Sequence, residues 1–124
     1  MSEYIHLRSS EDFRQVYRCG KRYDGRLMTA FIQPNGLAHH RFGVTASRKA
    51  IGNAVERNRS KRLLRETFRL SASVLDQMQA KYDWVINAKR SLLQVKVGDS
   101  LEEFQKIVTR AAGDESVNPV RAET

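Results

Sequence analysis

Apolar positions along the chain change their spacing several times, and each change predicts an element. After Ser9 and Ser10, Phe13, Val16 and Tyr17 fall at i, i+3 and i+4, a helical stripe that Gly20 ends. Ser9 with Asp12 three residues on has the spacing of a capping box. RLMTAFIQ, residues 26–33, reads as a strand, and PNG at 34–36 opens a turn and a loop to about His40. RFGVTAS, residues 41–47, returns as a second strand with Phe42, Val44 and Ala46 on one side.

Asn53 and Glu56 then cap a long helix running to about Ala80, with a break near Ser71. YDWVINA, residues 82–88, is a third strand. Ser100 and Glu103 predict the start of a last helix, whose stripe is Leu101, Phe104, Ile107, Val108 and Ala111 and which Gly113 closes. Residues 1–113 therefore read as one domain and 114–124 as a flexible polar tail. Helices intervene between some strands but not all, which predicts an α+β sandwich and not a doubly wound sheet.

Composition limits the function. Hydrophobic residues are 40% of the 124 and charged residues 29%, a globular balance. No run approaches the roughly 20 apolar residues of a membrane span. The N-terminus lacks the apolar run of a signal peptide. A lone Cys19 cannot form an internal disulfide, so the expected location is the cytoplasm.

Charge changes the picture more. Lys and Arg number 22 against 14 Asp and Glu. Arg48 to Arg69 alone holds eight basic and two acidic residues, a net +6, leaving +2 for the rest of the chain. On a helical projection Arg57, Asn58, Lys61, Arg62, Arg65 and Arg69 share one side with Arg59 at its flank, and Ser60, Leu63, Leu64, Thr67 and Phe68 share the other. A solvated helix face alternates signs at i, i+4. Here Lys61, Arg65 and Arg69 repeat one sign, and Glu66 is placed to answer Arg62. Arg outnumbers Lys, and its planar fork suits phosphate pairs and base faces. The helix is therefore expected to meet structured RNA. A basic ribosomal-type RNA binder of similar sandwich fold, or a DNA- or membrane-surface protein, would share the charge.

ERNRSKRLLRETFR, residues 56–69, closely resembles the arginine-rich signature of the protein subunit of bacterial ribonuclease P. SEDFRQVYRCGKR at 10–22, RFGVTASRKAIGNAVERNR at 41–59 and YDWVINAK at 82–89 resemble further blocks of that family, in its order and spacing. One departure is visible: Ala50 and Ile51 both stand between the Arg48-Lys49 pair and Gly52-Asn53, where the family has one apolar residue.

The resemblance implies an α-β sandwich of a mainly antiparallel sheet with helices, and a left-handed β-α-β crossover through the basic helix. It implies a subunit of an endoribonuclease that frees the 5′ end of precursor tRNA, with catalysis and magnesium in a large partner RNA. The partners are that RNA and precursor tRNA, with no membrane, and the protein on its own is expected to be a monomer. By family match, Arg57, Asn58, Arg59, Lys61, Arg62 and Arg65, extended by Arg48, Lys49 and Arg69, bind RNA. Phe13, Tyr17 and Phe31 match aromatic positions of a cleft for the single-stranded leader, with Thr29 and Thr45 on the same strand faces. The residues themselves show no nucleophile–base pair and no metal-ligand spacing, and His39 and His40 are expected to be exposed in the hairpin loop. No catalytic or metal residue is assigned to the protein.

Overall fold

The computed structural model describes residues 5–117. In chain order it contains β1 (Ile5–His6), α1 (Ser10–Cys19), β2 (Lys21–Asp24), β3 (Met28–Pro34), β4 (Arg41–Thr45), α2 (Ala54–Leu70), α3 (Ala72–Leu75), β5 (Tyr82–Ala88), a 3-10 helix at Arg90–Gln94 and α4 (Val97–Val117). The strands form one mixed sheet in the order β1-β4-β5-β3-β2. β3 is antiparallel to β2 and to β5, while β4 is parallel to β1 and to β5. The parallel neighbours β4 and β5 are joined through α2 and α3.

The sheet divides the helices. Met28, Ala30, Ile32, Phe42, Trp84 and Ile86 join Leu64 and Phe68 of α2 and Phe104, Ile107 and Val108 of α4 in the larger core. At its centre Phe68 stacks on Phe42 at 4.0 Å between ring centroids, and Trp84 meets Phe104 edge-on at 5.5 Å. On the opposite face α1 covers a smaller cluster of Leu7, Val16 and Val85, against which Phe13 and Phe31 pack. The alternation read in residues 26–33 and 41–47 thus assigns each strand face to the correct helix layer.

Caps follow local chemistry where nothing competes. Ser9 Oγ accepts from the Asp12 amide at 3.0 Å, and Asn53 Oδ1 from the Glu56 amide at 2.9 Å. The break at Ser71 is real: its hydroxyl donates to the Thr67 carbonyl at 2.8 Å, and only the single turn of α3 follows.

Four expectations need correction. The strands β1 and β2 were not read from the sequence; one has two residues, and in the other only Tyr23 is buried. The Ser100–Glu103 capping box does not form. Ser100 is buried with its Oγ 2.7 Å from Thr67 Oγ1, and the Glu103 carboxylate accepts from the amides of Arg26, Leu27 and Met28 at 3.0, 2.7 and 3.1 Å. α4 therefore starts earlier, at Val97. It also runs past Gly113, because Asp114 and Glu115 have tertiary partners. Asp114 accepts from Lys21 Nζ at 2.9 Å and the Tyr23 hydroxyl at 2.5 Å. Buried Glu115 accepts from the Gln79 amide and the Tyr82 hydroxyl at 2.9 and 2.5 Å. The rest of the expected tail, 118–124, lies outside the described residues. Finally, His40 is buried, not exposed. Its Nδ1 accepts from the Tyr82 amide at 3.0 Å and from Trp84 Nε1 at 3.1 Å.

Candidate nucleic-acid interface

Strand register builds the first surface in rows on the α1 face of the sheet. Thr29, Asn87 and Thr45 are aligned across β3, β5 and β4; Phe31, Val85 and Gly43 form the next row, and Gln33, Asp83 and Arg41 the third. The rows grade from polar, through apolar, to charged.

The charged row is a fastening. Arg41 donates to both Asp83 oxygens, at 2.7 and 2.6 Å, and lies 3.5 Å from Asp12 of α1. Asn35 Nδ2 donates to the same carboxylate at 2.9 Å. The bidentate Asp83 contact holds the Arg41 guanidinium even more firmly protonated than usual.

The middle row sets the depth. A Cβ at Gly43 would stand 2.5 Å from Phe13 Cζ, so the bare glycine is what lets that ring lie down on the sheet. Phe13 is half-buried. Phe31 is half-buried too, with the Arg22 guanidinium 5.7 Å from its ring centroid.

Tyr17 is the most open of the three aromatics, 40% exposed. Its ring meets Phe31 edge-on, with centroids 4.9 Å apart, and its hydroxyl donates to Asn87 Oδ1 at 2.8 Å. Thr45 Oγ1 donates to the same oxygen at 2.7 Å. Thr29 differs from the expectation. It is buried and its hydroxyl is committed to Asp24 Oδ1 at 2.6 Å. That hydrogen bond, with Lys89 beside it, lowers the Asp24 carboxyl to about 2.

The structure thus places Phe13, Tyr17, Phe31 and Thr45 on the α1 face of the sheet and commits the Thr29 hydroxyl to Asp24. Asn87 and Arg22 were missed in the sequence. Asn87 had a signal, an amide within a mostly apolar strand, where Asn is disfavoured. Arg22 had none, because its strand went unread.

The second surface is the outer face of α2. Ser60, Leu64, Thr67 and Phe68 are buried beneath it, while Asn58, Arg59, Arg62, Arg65 and Arg69 are exposed and Arg57 and Lys61 half-buried. Glu66 answers Arg69, at 2.6 Å, and not Arg62. Among the described residues Arg57, Arg59, Lys61, Arg62 and Arg65 form no ion pair. Five like charges on one helix without carboxylate partners raise the potential over that face and favour a polyanion.

Arg48 and Lys49, both exposed, lie in the loop joining β4 to α2. The loop closes one helical turn: Ser47 accepts the Ile51 amide on its carbonyl at 2.9 Å and the Ala50 amide on its hydroxyl at 3.0 Å. Ile51 fills the core, and Gly52 at φ 121° turns the chain into Asn53.

Among the described residues no group of three His, Cys, Asp or Glu side chains is placed to hold a metal ion, and no helix is long and apolar enough to cross a membrane.

Comparison with known proteins bears on the family and the fold. A family model described as Ribonuclease P covers residues 1–112. A ribonuclease P protein component of Syntrophus aciditrophicus is 38% identical over 104 residues, covering 84% of both chains. One from Methylococcus capsulatus is 37% identical over 113 residues, covering 89% of this chain and 85% of that one. Among solved structures, the RNase P protein of Thermotoga maritima superposes with a TM-score of 0.73 at 27% identity, over 85% of this chain and 96% of that one. The Staphylococcus aureus protein shares the fold, with a TM-score of 0.72 at 24% identity over 86% of this chain and 94% of that one.

Proposed function

The chain belongs to the ribonuclease P protein family, and from that premise we propose that it is the RNA-binding subunit of a ribonuclease P holoenzyme, which presents the 5′ leader of precursor tRNA to a catalytic RNA. The outer face of α2, with Arg48 and Lys49, binds the partner RNA and nearby substrate phosphates. The cleft of Phe13, Tyr17, Phe31 and Thr45 takes the leader.

The observation that carries this reading is the presence of both surfaces on one small sheet. Arg57, Arg59, Lys61, Arg62 and Arg65, without ion pairs among the described residues, lie on one helix layer, and the exposed Tyr17 ring, edge-on to Phe31, lies on the other. Cations supply affinity for phosphate without sequence preference. Aromatic rings stack unpaired bases with equal tolerance. A subunit that meets many precursor tRNAs, alike in shape but different in leader sequence, requires that combination. A structural RNA binder requires only the cations.

In this reading the magnesium that assists phosphodiester hydrolysis is held by the RNA, and the protein strengthens substrate and metal binding by neutralising phosphate charge and fixing the leader. Reconstitution tests it. The purified protein is mixed with a bacterial ribonuclease P RNA and precursor tRNA at low magnesium. The protein alone is expected to leave the precursor intact, and adding it to the RNA is expected to lower the magnesium needed for cleavage. Robust cleavage by RNA-free protein, or no effect on the RNA, overturns the proposal.

A further inference from the structure

Beside the cationic face lies a groove whose chemistry phosphate contact does not explain. It holds about 440 Å³ and is lined by Arg59, Arg62, Leu63 and Glu66 of α2 and by Val95, Lys96 and Val97. Its floor is apolar: Leu63, Val95 and Val97 are half-buried. Its rim is cationic: Arg59, Arg62 and Lys96 are exposed and form no ion pair among the described residues. The one acid, Glu66, is held by Arg69 at 2.6 Å.

The floor continues inward. A recess of about 20 Å³ shares Arg59, Leu63 and Val95 with the groove and adds Ser60, Leu92 and Leu93. Ser60 is 2% exposed, and its Oγ has no hydrogen-bond partner among the described residues. A mid-helix serine ordinarily spends its hydroxyl on the carbonyl four residues back. A buried hydroxyl left unpaired costs about 1–3 kcal/mol, so a polar atom reaching this recess would gain by pairing with it.

We propose that this groove takes one unpaired nucleotide of the partner RNA, its base lying on Leu63, Val95 and Val97, its flanking phosphates on Arg59, Arg62 and Lys96, and an exocyclic base group reaching Ser60 Oγ. The proposal rests on the RNA-binding reading above and adds to it a base-binding slot distinct from the leader cleft.

Three features select this occupant. A duplex offers phosphates but keeps its base faces stacked, so it makes no use of an apolar floor. An apolar peptide would not need three unpaired cations at the rim. A nucleotide brings a flat apolar face and an anion at fixed separation, and the volume lies within the usual range for a small-ligand site.

The test uses the full-length protein and a bacterial ribonuclease P RNA. The double variant Val95→Ser/Val97→Ser removes the apolar floor and no charge. It is expected to bind the RNA about tenfold more weakly, with the salt dependence of binding unchanged and the preference for leader-bearing over mature tRNA retained. Ser60→Ala is expected to weaken binding less while keeping the thermal melt. A photoreactive benzophenone side chain in place of Val97 is expected to cross-link one unpaired nucleotide of the RNA.

Wild-type affinity in both variants, or cross-links confined to duplex RNA, overturns the slot while leaving the RNA-binding reading intact. Failure of the wild-type protein to bind the RNA overturns that reading itself. If the double variant melts early, Ser60→Ala and the cross-link decide the matter.

Discussion

The Tyr17 hydroxyl donates to Asn87 Oδ1 at 2.8 Å, tying the more exposed aromatic of α1 to the middle of the sheet. The bond fixes the ring edge-on to Phe31 while leaving its outer face open. A ring held this way loses little freedom when a base stacks on it.

Tyr17→Ala is therefore expected to weaken holoenzyme binding of a leader-bearing precursor by about 1–3 kcal/mol, the range for one base–aromatic stack. Binding of mature tRNA should hardly change. Tyr17→Phe keeps the stacking face and should lose only about 0.5–1.5 kcal/mol, the value of one hydrogen bond. Affinities for both substrates, with thermal melts as controls, decide this. Equal losses on both substrates would make Tyr17 a structural residue.

Gly43 gives a separate test of the cleft floor. Gly43→Ala places a methyl 2.5 Å from Phe13 Cζ and must push the ring up or α1 away. We expect about 1–3 kcal/mol of destabilisation, the usual cost of overpacking, read as a shift in the urea midpoint. Phe13→Leu in the same chain should recover part of it. If the two changes simply add, the ring is not pressed on that glycine.

The arginines of α2 should act on RNA and not on folding. Arg65 is exposed and forms no ion pair among the described residues, so removing it relieves repulsion from Lys61 and Arg69. Arg65→Ala should reduce the log–log slope of RNA affinity against salt by roughly 0.7 to 0.9 for one lost phosphate contact. The melting temperature should hold or rise. A stability loss with an unchanged slope would show that the side chain supports the fold.

How much of this was legible depended on how local each signal was. The α2 face and its Asn53 cap were readable because both depend on residues three or four apart. The strands 26–33 and 41–47 were readable because Met28, Ala30 and Ile32, and Phe42, Val44 and Ala46, recur at every second position towards one covered face. Glu103 and Ser100 were misread because a local capping pattern lost to tertiary partners, three amides of the Arg26–Met28 turn and the Thr67 hydroxyl. Gly113 was misread as a stop for the same reason, since Asp114 and Glu115 gain more from Tyr23 and Tyr82 than the helix loses at one glycine. Within the candidate site, Tyr17 and Phe31 were placed by family resemblance. That Asn87 joins Tyr17 to Thr45 was invisible, because the contact spans 70 positions of sequence to one side and 42 to the other.

His40 provides the last test, and it concerns pH. Its Nδ1 accepts from both the Tyr82 amide and Trp84 Nε1, so the imidazole serves there as a neutral acceptor. Burial pushes its pKa below the usual 6.5, nearby Lys81 adds to the shift, and contacts with the Leu75 and Tyr82 backbone and with Asp76 oppose it only in part. Protonation would place a donor against two donors. The folded state thus binds the proton less readily than the unfolded chain. Stability from this group is complete above the unfolded value near 6.5, and it is lost as pH falls through that value towards the lower folded one. Between pH 7.5 and 5.5 the melting temperature of the wild-type protein is expected to fall. Asp24 stays ionised across that window, with its carboxyl lowered to about 2. His40→Asn sets an amide oxygen near the position of Nδ1 and cannot be protonated there. The variant should start lower, because it fills the site less well, but its melting temperature should vary much less over the same range. Parallel curves for the two proteins would place the pH dependence elsewhere in the chain and leave His40 as packing alone.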